Sequence, residues 1–287
     1  MAFVSQSKGM DYMHPFTFNG VRSLIGAAGI LVYILISRKI AGDKAAKLDW
    51  KLNVKAGLLC GIFLTIASTL QQFGIKYTSV GKAGFITTLY IIFVPMFGIF
   101  LKKKVAPVVW AAAGMAAVGM YLLCMTESLR LGAGDIMVFL CAIAFAIQIM
   151  TVDHYAARID GAVVSCIQFT VCGVVCCIGA LIWGQPTFGQ LQEGLGALLY
   201  AGVLSCGVGY TLQIVGQKGL NPTVAALIMS LESVIATISG WIAYKIGFLS
   251  TDQTLTPRQI AGCIIVFAAV ILVQLPPEWF RFGKKNA

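Results

Sequence analysis

The sequence predicts an all-α integral membrane protein, an inverted repeat of five-helix units with nine full transmembrane helices and a first helix that is largely missing. Three observations lead there. Hydrophobic residues make up 59% of the 287 and charged residues only 11%, with a mean hydropathy of +0.87. A soluble domain carries roughly 25% charged residues, so this chain cannot cover a water-facing surface. The apolar residues fall in runs close to the ~20 that cross a bilayer as a helix, without the alternation of a barrel strand. Finally, two distant segments repeat one another at a fixed offset.

The apolar runs are 15–37, 56–75, 83–101, 105–125, 135–153, 161–183, 195–216, 223–246 and 259–275. They are numbered spans 2 to 10 for a reason given below. The connections are short, the longest polar one being 38–55, so the lipid bilayer is the main partner and no soluble domain is expected. No short apolar run with a basic start and a small-residue cleavage site marks a signal peptide.

Basic residues set the orientation. Lys8, Lys76, Lys82, Arg130, Lys245 and Arg258 fall in one set of alternate loops, and Arg22 lies inside span 2. The rest of the 21 Lys and Arg fall in the other set, including Lys44, Lys47, Lys103, Lys104 and the tail residues Arg281, Lys284 and Lys285. The C-terminus is therefore expected in the cytoplasm and the start of the chain outside, with Trp279 and Phe280 as an interfacial anchor. The net charge of +10 reads as topology. Nucleic-acid binding would need those charges gathered on one soluble face.

The nine cysteines all lie in hydrophobic stretches and no Cys-x-x-Cys occurs. Cys172 and Cys176 share a helix face, but no His or carboxylate joins them at ligand spacing, so neither metal nor cofactor is expected. No HExxH, GxSxG or Walker loop is present, so the chain is not expected to be an enzyme and any driving energy must come from gradients.

The repeat pairs TLQQFGIK (69–76) with TLQIVGQK (211–218), an offset of 142. The offset continues through Ala83 and Ala225, Ile86 and Ile228, Leu89 and Leu231, Gly98 and Gly240; Pro107 and Pro257 align after a loop insertion. The two Gln-bearing spans lie five apart, an odd number, so the copies face opposite ways. Residues 1–125 form the first half, 135–275 the second, and 276–287 a basic cytoplasmic tail. The second half has five helices and the first only four full ones. Its opening helix should end around Met1–Lys8, its earlier residues having no counterpart, through a misassigned start codon or as a true nine-helix variant. Inverted repeats mark many secondary transporters.

Four segments carry a resemblance to a known family: SVGKAGFITTLYIIFVP (79–95), AALIMSLESVIATISGW (225–241), PFTFNGVR (15–22) and GAGDIMVFLCAIAFAIQ (132–148). With them the chain resembles the EamA family of the drug/metabolite transporter superfamily. The resemblance implies a ten-helix permease of a bacterial inner membrane, both termini cytoplasmic, moving amino acids or other small metabolites, often outward. The chain departs from it in the truncated first helix and in Glu232-Ser233, where the family often has Glu-Pro.

Candidate solute contacts follow from polar residues at depth. Glu232 is the only acid near the middle of its span; an acid there costs on the order of 2–3 kcal/mol on insertion scales. It would meet a cationic group, carry a proton, or serve packing as a neutral acid. Tyr90 occupies the equivalent place in span 4, where Pro95 removes an interior hydrogen bond and is expected to kink the helix. Gln71 and Gln213 are equivalent, with Ser68 and Tyr210 three residues away on the same faces. Gln72 and Gln148 are weaker versions of the same pattern. Arg22, aligned with Gln168, would meet a solute carboxylate or snorkel outward. Asp153, His154 and His14 stand near span ends, as solvated groups or a proton relay. Secondary transport is the leading function. The alternatives are a truncated or partner-dependent chain without transport activity, an intramembrane enzyme lacking any recognisable nucleophile and base, and a channel lacking a filter-like loop.

Overall fold

The computed structural model describes residues 2–42, 48–102, 105–125, 132–245 and 255–275. The tail at 276–287, with Trp279 and Phe280, lies outside the described residues, as do Lys44, Lys47, Lys103, Lys104 and Arg130.

Every described element is helical: α1 (Ala2–Tyr12), α2 (Pro15–Ala41), α3 (Trp50–Tyr77), α4 (Val80–Thr88), α5 (Tyr90–Phe100), α6 (Pro107–Cys124), α7 (Ala133–Ala156), α8 (Gly161–Gly179), α9 (Phe188–Glu193), α10 (Leu195–Leu199), α11 (Tyr210–Gly216), α12 (Pro222–Lys245) and α13 (Pro257–Gln274). Two π-helical segments join them, Ala180–Gly184 after α8 and Tyr200–Gly209 between α10 and α11. Local chemistry fixes the helix starts. Pro15, Pro107, Pro222 and Pro257 each open a helix, where a missing N–H costs nothing. Asp49, Ser79 and Thr256 cap α3, α4 and α13 by accepting from backbone N–H groups of the first turn. The repeat's aligned prolines, Pro107 and Pro257, thus hold the same structural place.

Among the described residues, eight helices are long and apolar enough to span a membrane. The ninth expected span, α12, is 24 residues long, with a shorter apolar stretch described over Pro222–Ile235. Large apolar side chains point outward, as lipid-facing ones must: Leu31, Val32, Leu35 and Ile36 on α2, Val174, Val175 and Ile178 on α8, Ile264, Phe267 and Ile271 on α13. α1 is about 16 Å long at 1.5 Å per residue, roughly half the hydrocarbon thickness. It packs against α3, α10 and the longer π segment.

Three spans are irregular. Span 7 ends in the π segment Ala180–Gly184. Span 4 breaks at Leu89, between α4 and α5, where Leu89 N–H bonds to Ile86 O at 3.2 Å and Ile92 N–H to Leu89 O at 2.9 Å. These bonds reach three residues back rather than four and tighten the helix locally. Pro95 lies buried inside α5, six residues past this discontinuity. Span 8 is interrupted by the π segment Tyr200–Gly209.

The tightest packing joins α3 to α7 and α8, α2 to α8 and the longer π segment, and α6 to α13. Glycines sit where backbones touch. A Cβ at Gly262 would lie 2.7 Å from Gly119 O and from Leu123 N; one at Gly119 would lie 2.7 Å from Val266 Cγ2. Small residues permit such approach in the absence of a hydrophobic drive between helices. Gly262→Val should separate α6 from α13 and cost about 1–3 kcal/mol by overpacking, read as a lower melting temperature in detergent. An unchanged melt would show that the crossing relaxes freely.

Candidate solute-binding cavity

A cavity of about 780 Å³ opens inside the bundle. Its walls come from α3 to α5, α7, the longer π segment, α11 and α12, with Gln6 of α1 at one edge. Polar groups converge from both sequence halves: Gln71, Thr87, Thr88 and Tyr90 from the first; Tyr200, Ser205, Tyr210, Gln213, Glu232 and Ser233 from the second. Apolar side chains such as Phe145, Ile149, Ile228 and Met229 fill the rest. This mixture, and a volume within the ~300–1,000 Å³ of small-molecule sites, suits an amphipathic metabolite.

Glu232 supplies the one carboxylate in this lining. Its side chain is exposed to the cavity and makes no hydrogen bond or ion pair among the described residues. It is therefore available to a solute. The break at Leu89 places Thr87, Thr88 and Tyr90 on the facing wall. Gln71, 5% exposed, donates from Nε2 to Thr87 Oγ1 at 3.3 Å. The two equivalent glutamines, Gln71 and Gln213, thus both reach the cavity.

Other sequence candidates lie behind the wall. Gln148 and Gln168 are fully buried and form an amide relay. Gln213 Nε2 donates to Gln148 Oε1 at 3.4 Å, and Gln148 Nε2 donates to Gln168 Oε1 at 3.3 Å. Gln148 positions Gln213 and does not line the cavity. Gln148→Leu should cost about 1 kcal/mol, the usual worth of a buried interhelical bond, and raise the solute Kd only through Gln213. Paired melting and binding measurements would separate the two effects. Gln72, also fully buried, donates from Nε2 to Gln6 O at 3.1 Å and ties α1 to α3. Arg22 lies outside this cavity, in a smaller recess. It is 6% exposed and does not snorkel outward.

Sequence reasoning missed Gln6, which borders both the cavity and the recess, because its helix was treated as a remnant. It also missed a buried clasp. Lys82, placed in a loop by the sequence reading, stands in α4 and pairs with Asp135 of α7. The Asp135 carboxylate also accepts from Thr78 Oγ1 and from Gly132 N–H. Opposite-signed residues at the adjoining ends of spans 4 and 6 were the available signal. A second clasp lies at the other end of the bundle. Arg38 approaches Asp160 at 3.7 Å, and Asn53 Oδ1 accepts from Asp160 N–H at 2.8 Å.

The remaining titratable candidates lie away from the cavity. Asp153 and His154 stand near the end of α7. His14 caps α2 and packs edge-on against Phe73 at 5.6 Å. Burial first, and the Lys76 charge second, hold its imidazole below the ordinary value of 6.5. A depressed histidine contributes stability that is present above pH 6.5 and is lost as pH falls through the folded value. Melting curves from pH 7.5 to 5 should show that loss, and His14→Gln should flatten it; equal slopes would remove His14 as the cause.

Fold and cavity together define a multi-pass helical membrane protein with a polar-lined pocket inside its bundle. A solved crystal structure matches at a TM-score of 0.73 over 98% of this chain and 96% of its own, at 16% identity, which speaks to the fold alone. The EamA-like transporter family profile matches residues 1–125 and 132–275. An uncharacterized transporter of Archaeoglobus fulgidus is 27% identical over 272 residues, covering 93% of this chain and 79% of the relative. One of Clostridium kluyveri is 24% identical over 271 residues, covering 91% and 83%. The chain belongs to the EamA-like transporter family.

Proposed function

We propose that this membrane transporter is a secondary permease for small metabolites, amino acids or related compounds, working by alternating access around the cavity that Glu232 lines. The carrying observation is that cavity itself: a carboxylate with no hydrogen bond or ion pair among the described residues, in a lining with hydroxyl and amide groups from both halves. Glu232 would receive a solute ammonium group or a coupling proton, while Tyr90, Tyr210, Gln71 and Gln213 orient the solute. Packing supports two inverted halves. The α3–α8 contact has its counterpart in the contact of α2 with the longer π segment, and the α2–α8 and α6–α13 contacts are their own counterparts. The protein would sit in an inner membrane with its C-terminus in the cytoplasm, as the basic residues direct.

The test is a melting screen of purified protein against amino acids, cationic drugs and nucleosides, followed by flux of the hits into proteoliposomes with and without a proton gradient. A ligand at 100 times its Kd stabilises by about 2.7 kcal/mol. Clustered hits that are transported against their gradient support the proposal. Hits that only equilibrate would make the protein a facilitator. Binding without flux would remove transport by this chain alone.

A further inference from the structure

We infer that Arg22 holds a small monovalent anion, chloride or the carboxylate of a solute, in a second buried recess beside the main cavity. The argument begins with depth. Arg22 is seven residues past Pro15, roughly 10 Å along α2. It is 6% exposed. Its guanidinium lies 5.3 Å from the centre of the Phe18 ring. Among the described residues no carboxylate comes within 4.0 Å of it and no hydrogen bond uses its N–H groups; its Nε is buried without a partner. A guanidinium does not lose its proton in a protein, and a buried charge demands a counter-charge. Among the described residues, the cation stands without its anion.

The recess has the right chemistry and is tight. Its volume is about 10 Å³, the least that holds one water molecule, so a single carboxylate oxygen fits it and the larger chloride ion needs the lining to give. Arg22 shares it with Ser23, Ser68, Cys172 and Tyr210, and no carboxylate lines it. Ser23 Oγ donates to Cys172 Sγ at 3.5 Å, and Ser68 Oγ lies 3.4 Å from the same sulfur. Sulfur is a weak acceptor, so the Ser23 hydroxyl can turn to an anion at small loss, while the Ser68 hydroxyl would exchange its long 3.4 Å bond to Thr65 O for one to the anion. A water molecule would satisfy the N–H groups but leave the charge unbalanced. Gln6, Ser205 and Tyr210 border both voids. A solute in the main cavity could therefore extend a carboxylate towards Arg22, while chloride would occupy the recess in its absence. The inference stands whether or not the main cavity is a transport route.

The experiment is a melting series of purified protein at constant ionic strength, with the bulky anion isethionate replaced stepwise by chloride in one arm and by acetate in the other. The wild type should gain stability saturably in at least one arm. A chloride response identifies the inorganic ion, an acetate response the carboxylate, and both together a shared site. Arg22→Gln should abolish the response, and Arg22→Lys, which keeps the charge, should retain it with weaker affinity. Should Arg22→Gln fail to fold, Ser68→Ala serves, with an expected severalfold loss of anion affinity. A wild type indifferent to both anions overturns the inference, as does an unaltered response in Arg22→Gln or, where that variant fails to fold, in Ser68→Ala. Destabilisation by Cys172→Ser together with anion indifference would also overturn it, by making a Cys172 thiolate the counter-charge.

Discussion

Glu232→Gln should lower solute flux at least ~10-fold while leaving the melting temperature of the unliganded protein unchanged. The two halves of that result come from one observation. The carboxylate lines the cavity and makes no hydrogen bond or ion pair among the described residues, so none of those contacts is lost with the charge. A hydrogen bond to a charged group is worth about 1.5–3 kcal/mol, and ~1.4 kcal/mol is tenfold in affinity. The amide keeps the shape and loses the charge. Glu232→Asp retains the charge on a shorter arm and should fall between the two. The measurement pairs proteoliposome flux with thermal melting for each variant. A destabilised Glu232→Gln with normal flux would reassign the residue to packing.

Asp135→Asn should be the most destabilising of the conservative substitutions considered for this bundle. Asp135 is 2% exposed and Lys82 8%, and the carboxylate also serves Thr78 and Gly132. Removing one carboxylate charge from a buried pair costs about 3–5 kcal/mol. At roughly 2–4 °C per kcal/mol for chains of comparable size, the melting temperature should drop by about 10 °C. The double variant Lys82→Met with Asp135→Leu strands no charge and should recover most of the loss. A small drop in Asp135→Asn would mean that the contacts remaining around Lys82 hold its charge nearly as well. Because the clasp joins α4 to α7, the same variants bear on how firmly one end of the bundle is closed.

The spans were legible in the sequence because a bilayer demands long apolar runs and little else resembles them. The pairing of Gln71 with Gln213 and of Tyr90 with Glu232 was legible because polar residues at depth stand out, and the repeat aligned them. Rotation about each helix axis was not legible. A helix that is apolar all round carries no amphipathic signal for which face turns inward. The sequence therefore could not separate Gln71, which faces the cavity, from Gln72, which faces α1, or assign Gln148 to its relay. Arg22 posed the same difficulty: its spacing allowed an outward snorkel, and only the packing of α2 against α8 and the π segment buries it. The break at Leu89 lacked a local marker, since neither Gly84 nor Pro95, the nearest helix-weakening residues of the same span, lies within a turn of it.

The irregularities at Leu89 and at Tyr200–Gly209 do not fall at equivalent places. α3 runs unbroken for 28 residues while its repeat partner is split by the π segment, and α12 runs unbroken while its partner is divided at Leu89. Two identical halves exchanging roles would give outward- and inward-facing forms of equal free energy. Within any one form, however, such halves must differ in shape, each taking the shape that the other takes in the opposite form. On the proposed cycle, passing the cavity from one side to the other would move the irregularities too, so that α3 and α12 break as their partners straighten.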